Sequence, residues 1–139
     1  MSANADVTSS PIPADRLQQA VDIVTRMRQE IQRAVIGQEY VVEQVLACCL
    51  AGGHVLIEGV PGLGKTLLVK AMAKTFSGDF SRIQFTPDLM PADVMGHAVF
   101  DMRNQTFSVR KGPVFTHLLL ADEINRAPAK TQSSLLEVM

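Results

Sequence analysis

Net charge, cysteine and long apolar runs are all scarce in this chain, and each scarcity removes a class of explanation. Thirteen Lys and Arg stand against fourteen Asp and Glu, leaving a formal charge of −1, so nothing in the charge balance calls for a nucleic-acid partner. The two cysteines, Cys48 and Cys49, are adjacent and can hardly staple distant elements together, which makes a reducing, intracellular compartment the expectation. No apolar stretch approaches the roughly 20 residues that span a bilayer. The opening MSANADVTSSPIPAD has neither the basic start nor the apolar run of a secretory signal. We therefore expect a cytoplasmic protein without a membrane span. Internal repeats and low-complexity tracts are absent as well. What is left is 139 residues, 47% hydrophobic and 19% charged, an ordinary globular composition that makes one domain or a piece of a larger one.

Residues 1–13 are small, polar and Pro-containing, and are expected to form a disordered tail ahead of a domain that begins at residue 14. Asp15 and Gln18 suggest a capping box. Leu17, Val21, Val24, Ile31 and Val35 follow at steps of three, four and seven, which predicts a helix over about 15–34, closed off at Gly37. A second helix over 39–51 would bury Val42, Val45, Leu46 and Cys49. HVLIE (54–58) is continuously apolar and bounded by glycines, as suits a strand buried on both faces of a parallel sheet. A helix continues through LLVKAMAKTF (67–76), SRIQF (81–85) alternates as a second strand, and PDLMPADVM (87–95) is a short helical segment. Phe100 and Met102, then Phe107 and Val109, alternate with polar residues about the turn-prone pair Arg103-Asn104, which predicts a β-hairpin. HLLLADE (117–123) reads as a third buried strand, and Pro128 opens a last helix. Strands alternating with helices indicate an α/β layered fold around a parallel sheet.

Between the first strand and its helix lies Gly59-Val60-Pro61-Gly62-Leu63-Gly64-Lys65-Thr66, which fits GxxxxGK[ST] at every fixed position. Chance alone would produce such a match in about one of a couple of hundred chains of this length. Glycines let the backbone curl so that N–H groups converge on an anion. The helix starting near Lys65 adds its positive end. The Lys65 ammonium can reach β- and γ-phosphates, and the Thr66 hydroxyl is suited to ligate Mg²⁺. Pro61 stiffens the loop without using an N–H. HLLLADE carries Asp122 and Glu123 to the carboxyl end of the sheet, where open α/β sheets bind ligands. Asp122 suits a Mg²⁺-holding carboxylate, and Glu123 a base that activates water. A base beside the magnesium acid favours hydrolysis over phosphoryl transfer to a small acceptor. The bland alternatives are a glycine-rich turn with an incidental lysine, and an acidic pair on a solvated helix start.

Other groups carry less. His54, His97 and His117 lack partners at ligand spacing and read as strand-end or surface histidines. Cys48 and Cys49 read as small core residues. Arg26, Arg28, Glu30 and Arg33 read as a solvated face, and Met72, Met90 and Met95 as gap-fillers.

VIGQ (35–38), GVPGLGKT (59–66), RIQFTPDLMPADVMG (82–96) and KGPVFTHLLLADEINRAPAKTQSSLLEVM (111–139) together resemble the N-terminal part of a MoxR-family AAA+ ATPase, from about residue 17 onward. The resemblance implies a three-layer P-loop NTPase core, incomplete here, with the hairpin at about 97–110 inserted into helix 2. It implies ATP and Mg²⁺ as ligands, with Lys65 and Glu123 catalytic and Thr66 and Asp122 at the metal. The nucleotide would contact Gly59, Val60, Pro61, Gly62, Leu63, Gly64, Lys65, Thr66 and Leu67, with Val35, Ile36, Gly37 and Gln38 near the adenine. It further implies a hexameric ring that remodels or activates protein clients, often with a von Willebrand factor A domain partner. Two positions depart from the family pattern: the Arg-Asn-Gln hairpin tip, where relatives often have Thr-Gly, and His117, where Asn is common. The sensor-1 strand, arginine finger and lid of the family are expected outside these residues. A nucleotide-binding module without significant turnover and a P-loop phosphotransferase are the competing readings.

Overall fold

The computed structural model describes residues 12–60 and 62–139; most of the expected disordered tail, and Pro61 of the loop, lie outside them. Ala14–Ala34 forms α1 and Glu39–Leu50 forms α2. Packing against them comes α3, Lys65–Ala73. Ile31, Val35, Val42, Val45, Leu46, Leu68 and Met72 make one buried cluster from these three helices. The apolar stripe of α1 is covered only toward its C-terminal end, since Leu17 and Val21 are exposed. The expected capping box is not formed. Pro13 occupies the N-cap, Asp15 lies inside the first turn, and Gln18 donates instead to Asp22 Oδ1 at 3.0 Å. Asp15 still suits its position, because the positive end of a helix favours an acid there.

Strand β1 (Phe80–Gln84) is followed by α4 (Pro91–Met95), the hairpin strands β2 (Gly96–Asp101) and β3 (Thr106–Lys111), then β4 (Leu118–Asp122) and α5 (Ala129–Val138). The parallel sheet is β1 against β4, in a register that sets Arg82 beside Leu120 and Gln84 beside Asp122. Its two faces are covered differently. Ile83 and Phe85 are buried with Val94, Ala127 and Leu135, and Leu119 and Ala121 pack on the same cluster. Side chains alternate along a strand, so Arg82, Gln84, Leu120 and Asp122 face the other way, toward α3. The result is three layers, with α1–α3 on one side of the sheet and α4–α5 on the other. Thr131, buried in α5, ties that layer together by donating to Leu89 O at 2.7 Å.

Two expectations are corrected by the sheet. HVLIE is not a buried strand: among the described residues nothing pairs with 54–58 in a ladder, and Val55 and Leu56 are 43% and 74% exposed. An apolar segment becomes a strand only when neighbouring backbone takes up its N–H and C=O groups, and no described strand lies alongside. For the same reason β4 is half-buried rather than buried.

The hairpin forms as read, with Phe100 opposite Phe107 and their rings 5.0 Å apart. Its base closes tightly: a Cβ on Gly96 (φ +89) would come within 2.1 Å of Arg110 O, and one on Gly112 within 2.2 Å of Val94 O in α4, so only glycine fits at either position. At its tip Asp101 accepts hydrogen bonds from Arg103 N and Asn104 Nδ2 at 2.8 and 2.7 Å. Smaller corrections concern single residues. Cys49 is exposed and Cys48 half-buried, Met90 is exposed, and Arg28 joins α1 to α2 through Glu43 at 3.1 Å rather than standing in solvent alone.

Candidate functional site

The phosphate-type loop ends where α3 begins. Gly64 caps the helix with φ 72 and ψ 16, a left-handed conformation that a side chain disfavours. The first intrahelical bond runs from Leu68 N–H to Gly64 O at 2.9 Å. Helix geometry therefore leaves the N–H groups of Lys65, Thr66 and Leu67 free to point out of the helix start. Leu68 and Met72 anchor the helix in the first core cluster, so the loop is borne on a packed element. Lys65 Nζ donates to Gly59 O at 2.6 Å and to Val60 O at 2.8 Å, folding the ammonium across its own loop. Val60, Leu63 and Leu67 are exposed.

The 35–38 segment lies beside this loop. Val35 is buried in the same cluster as Leu68, Gly37 has φ 78, and Gln38 Nε2 donates to Leu63 O at 2.7 Å. Ile36 is 88% exposed. Two segments that sequence spacing could link only through a resemblance are thus joined by one hydrogen bond.

On the sheet side, β4 delivers Asp122 to the start of α3, and Thr66 Oγ1 donates to Asp122 Oδ2 at 3.4 Å. Glu123 follows in a left-handed conformation, φ 56 and ψ 42, which for a residue with a side chain costs on the order of 1–2 kcal/mol. The turn it starts, Ile124–Arg126, closes by Arg126 N–H to Glu123 O at 2.9 Å. The Glu123 carboxylate accepts from Arg126 Nε at 2.8 Å. The chain thus brings Thr66 and Asp122 together, while Lys65 is engaged with the loop and Glu123 with Arg126.

Two residues here escaped sequence reasoning. Arg82 Nη2 donates to Asp122 Oδ2 at 2.7 Å and to Gln84 Oε1 at 3.0 Å; only the register of β1 on β4 reveals it. Arg126 stands three residues after Glu123, a spacing that could have suggested the ion pair. The histidines are elsewhere: His117 Nδ1 accepts from Asp79 N–H at 3.0 Å, and His54 Nε2 lies 3.2 Å from Met139 O.

A glycine-rich loop on a helix start, facing an acidic strand end across a three-layer α/β fold, defines a P-loop NTPase arrangement, and the comparisons agree. Residues 54–139 match the profile of the ATPase family associated with various cellular activities (AAA). The chain is 48% identical over 138 residues to Chaperone MoxR1 of Mycobacterium tuberculosis, covering 99% of this chain and 37% of that protein. It is 33% identical over 123 residues to Protein MoxR of Methylorubrum extorquens, covering 85% and 36%. The crystal structure of a candidate ATPase from Cytophaga hutchinsonii superposes with a TM-score of 0.65 at 46% identity, over 88% of this chain and 39% of that one. The chain belongs to the MoxR family of AAA+ ATPases, and it spans little more than a third of the length of these curated relatives.

Proposed function

We propose that the complete protein binds and hydrolyses ATP at this site and uses the cycle to remodel or activate partner proteins. The observation that carries the proposal is the meeting of Thr66 and Asp122, 3.4 Å apart, which brings the start of α3 against the end of β4. A hydroxyl and a carboxylate are the hard oxygen donors that Mg²⁺ takes, so these two residues fit the ion. Bound there with ATP, Mg²⁺ would neutralise charge on the β- and γ-phosphate oxygens. The rest belongs to the chain itself. Spare N–H groups at the start of α3 hold phosphate oxygens. Lys65 exchanges its two carbonyl partners for the β- and γ-phosphates. Val35 to Gln38 flank the base, and the Gln38–Leu63 bond keeps that flank attached to the loop. Glu123 accepts a proton from the water whose oxygen bonds the γ-phosphorus as the bond to the β-bridging oxygen breaks, giving ADP and phosphate.

The name of one relative, a chaperone, supports action on protein clients. We include in the proposal a hexameric ring, cytoplasmic, with a von Willebrand factor A domain protein among its partners.

Replacing Glu123 by Gln in the complete protein tests the assignment. ATP binding should persist within about twofold, while turnover falls by at least about 10²-fold, the scale of a lost general base. Hydrolysis at the normal rate would remove Glu123 from the role. A second reading, a nucleotide-responsive module without turnover, draws on the Glu123–Arg126 pair, which occupies one oxygen of the proposed base with an arginine. Arg126→Ala separates the two, because only in a hydrolase would freeing Glu123 alter the rate.

A further inference from the structure

The Asp122 carboxylate has two oxygens, and both hydrogen bonds it accepts among the described residues fall on one of them. Thr66 Oγ1 donates to Oδ2 at 3.4 Å, and Arg82 Nη2 donates to the same Oδ2 at 2.7 Å. A residue whose task was to orient Asp122 for a metal would hold the oxygen turned away from Thr66. Arg82 holds the oxygen turned toward it. The pair is part-shielded, with the Arg82 side chain 41% and the Asp122 side chain 22% exposed, so the attraction is damped less than in open water.

We propose that Arg82 is a placeholder cation. It neutralises Asp122 while the nucleotide site is empty, and it must yield Oδ2 for the divalent ion to engage that oxygen. This rests on the reading of Thr66 and Asp122 as the metal residues. Gln84 gives Arg82 somewhere to stay. Its Oε1 accepts from the same Nη2 at 3.0 Å, and residues two apart on a strand share a face. When Arg82 gives up Asp122 it remains bound to β1, one short step from the carboxylate. The consequence is a metal site tuned to be weaker than its donors alone would make it. Metal occupancy and the Arg82 position then exclude one another, so the metal is held chiefly when a bound nucleotide adds its phosphate oxygens.

The competition has a definite sign. In the complete protein, the fluorescence of bound mant-ADP is titrated with Mg²⁺ from an EDTA-treated start, and the Mg²⁺ concentration at half the metal-dependent change is read. Arg82→Gln should lower that midpoint by about two- to fivefold, the size of a part-exposed ion pair. Mant-ADP affinity in EDTA should stay unchanged. Arg82→Lys, which keeps the charge without the planar fork, should fall between the two and guards against a folding defect in the Gln variant. A midpoint that rises or does not move in both variants overturns the placeholder role, a rise meaning that Arg82 positions Asp122 for the ion. A wild-type protein whose mant-ADP signal shows no Mg²⁺ dependence overturns the metal reading beneath it, a result distinct from either shift.

Discussion

Asp101 shows how a single exposed carboxylate can organise a turn. The backbone N–H of Arg103 and the Asn104 side chain both donate to it, and these bonds, Arg103 first, hold its pKa below the ordinary 3.8. A carboxyl with a depressed folded pKa binds protons more readily in the unfolded chain. Its contribution to the hairpin is therefore fully present above about pH 3.8 and is lost as pH falls through the lowered value. Carbon-detected NMR titration of the Asp101 carboxyl should give a midpoint under 3.8, and an ordinary or raised midpoint would show that the tip bonds do not hold in solution. At the carboxyl end of β4, Glu123 is the other residue whose local state matters. Its left-handed backbone turns the chain off β4 abruptly, so Asp122 and Glu123 leave the strand in different directions and can take different partners. Strain of this kind collects at functional sites, and here it separates the proposed metal acid from the proposed base.

At the scale of elements, α3 links the core to the loop. Leu68 is buried among side chains from α1, α2 and α3, one turn beyond Gly64. Leu68→Ala should destabilise the complete protein by about 2–5 kcal/mol through a cavity that its neighbours fill only in part. It should also weaken nucleotide binding, because the helix start that presents Lys65 and Thr66 would lose its anchor. A urea melt and a mant-ADP titration on the same variant check both effects, and a large stability loss with unchanged affinity would mean that the loop holds its shape independently of α3. The helices and β1 were legible in sequence through the periods of 3.6 and 2 that one-sided burial imposes. The hairpin was legible through alternation about a turn-prone pair, although its strands are mostly exposed, and β4 through an unbroken apolar run. The loop was legible because its fixed glycine, lysine and threonine positions lie within eight consecutive residues, Gly59 to Thr66. Arg82 was not, since its role depends on which residue of β1 falls beside which residue of β4, and pairing register is a property of two distant segments. HVLIE was misread for a related reason: its composition fits a buried strand, but composition does not supply the neighbour that a strand needs.

The whole molecule is two cores joined across a thin sheet. One cluster belongs to α1, α2 and α3, the other to the sheet with α4 and α5, and among the described residues the parallel sheet has two strands. Residues 54–58 have no ladder partner among the described residues, with Ile57 packed on the first cluster and Val55 and Leu56 open to solvent. Open backbone beside apolar side chains invites pairing with whatever strand comes near. In a family whose members run to nearly three times this span, we expect further chain to supply that strand. The isolated 139 residues should then unfold over a broad urea range, with a slope below that of a two-state domain of this size, because the two clusters are weakly coupled. Amide exchange should locate the weakness: N–H groups of 54–58 should exchange at near-unprotected rates in the isolated residues and slowly in the complete protein. Strong protection of 54–58 in the isolated residues, together with one sharp transition, would mean that the segment finds its partner without added chain. The Thr66–Asp122 contact would then sit in an autonomous domain, and the 139 residues alone should bind Mg²⁺ and ATP as tightly as the complete protein.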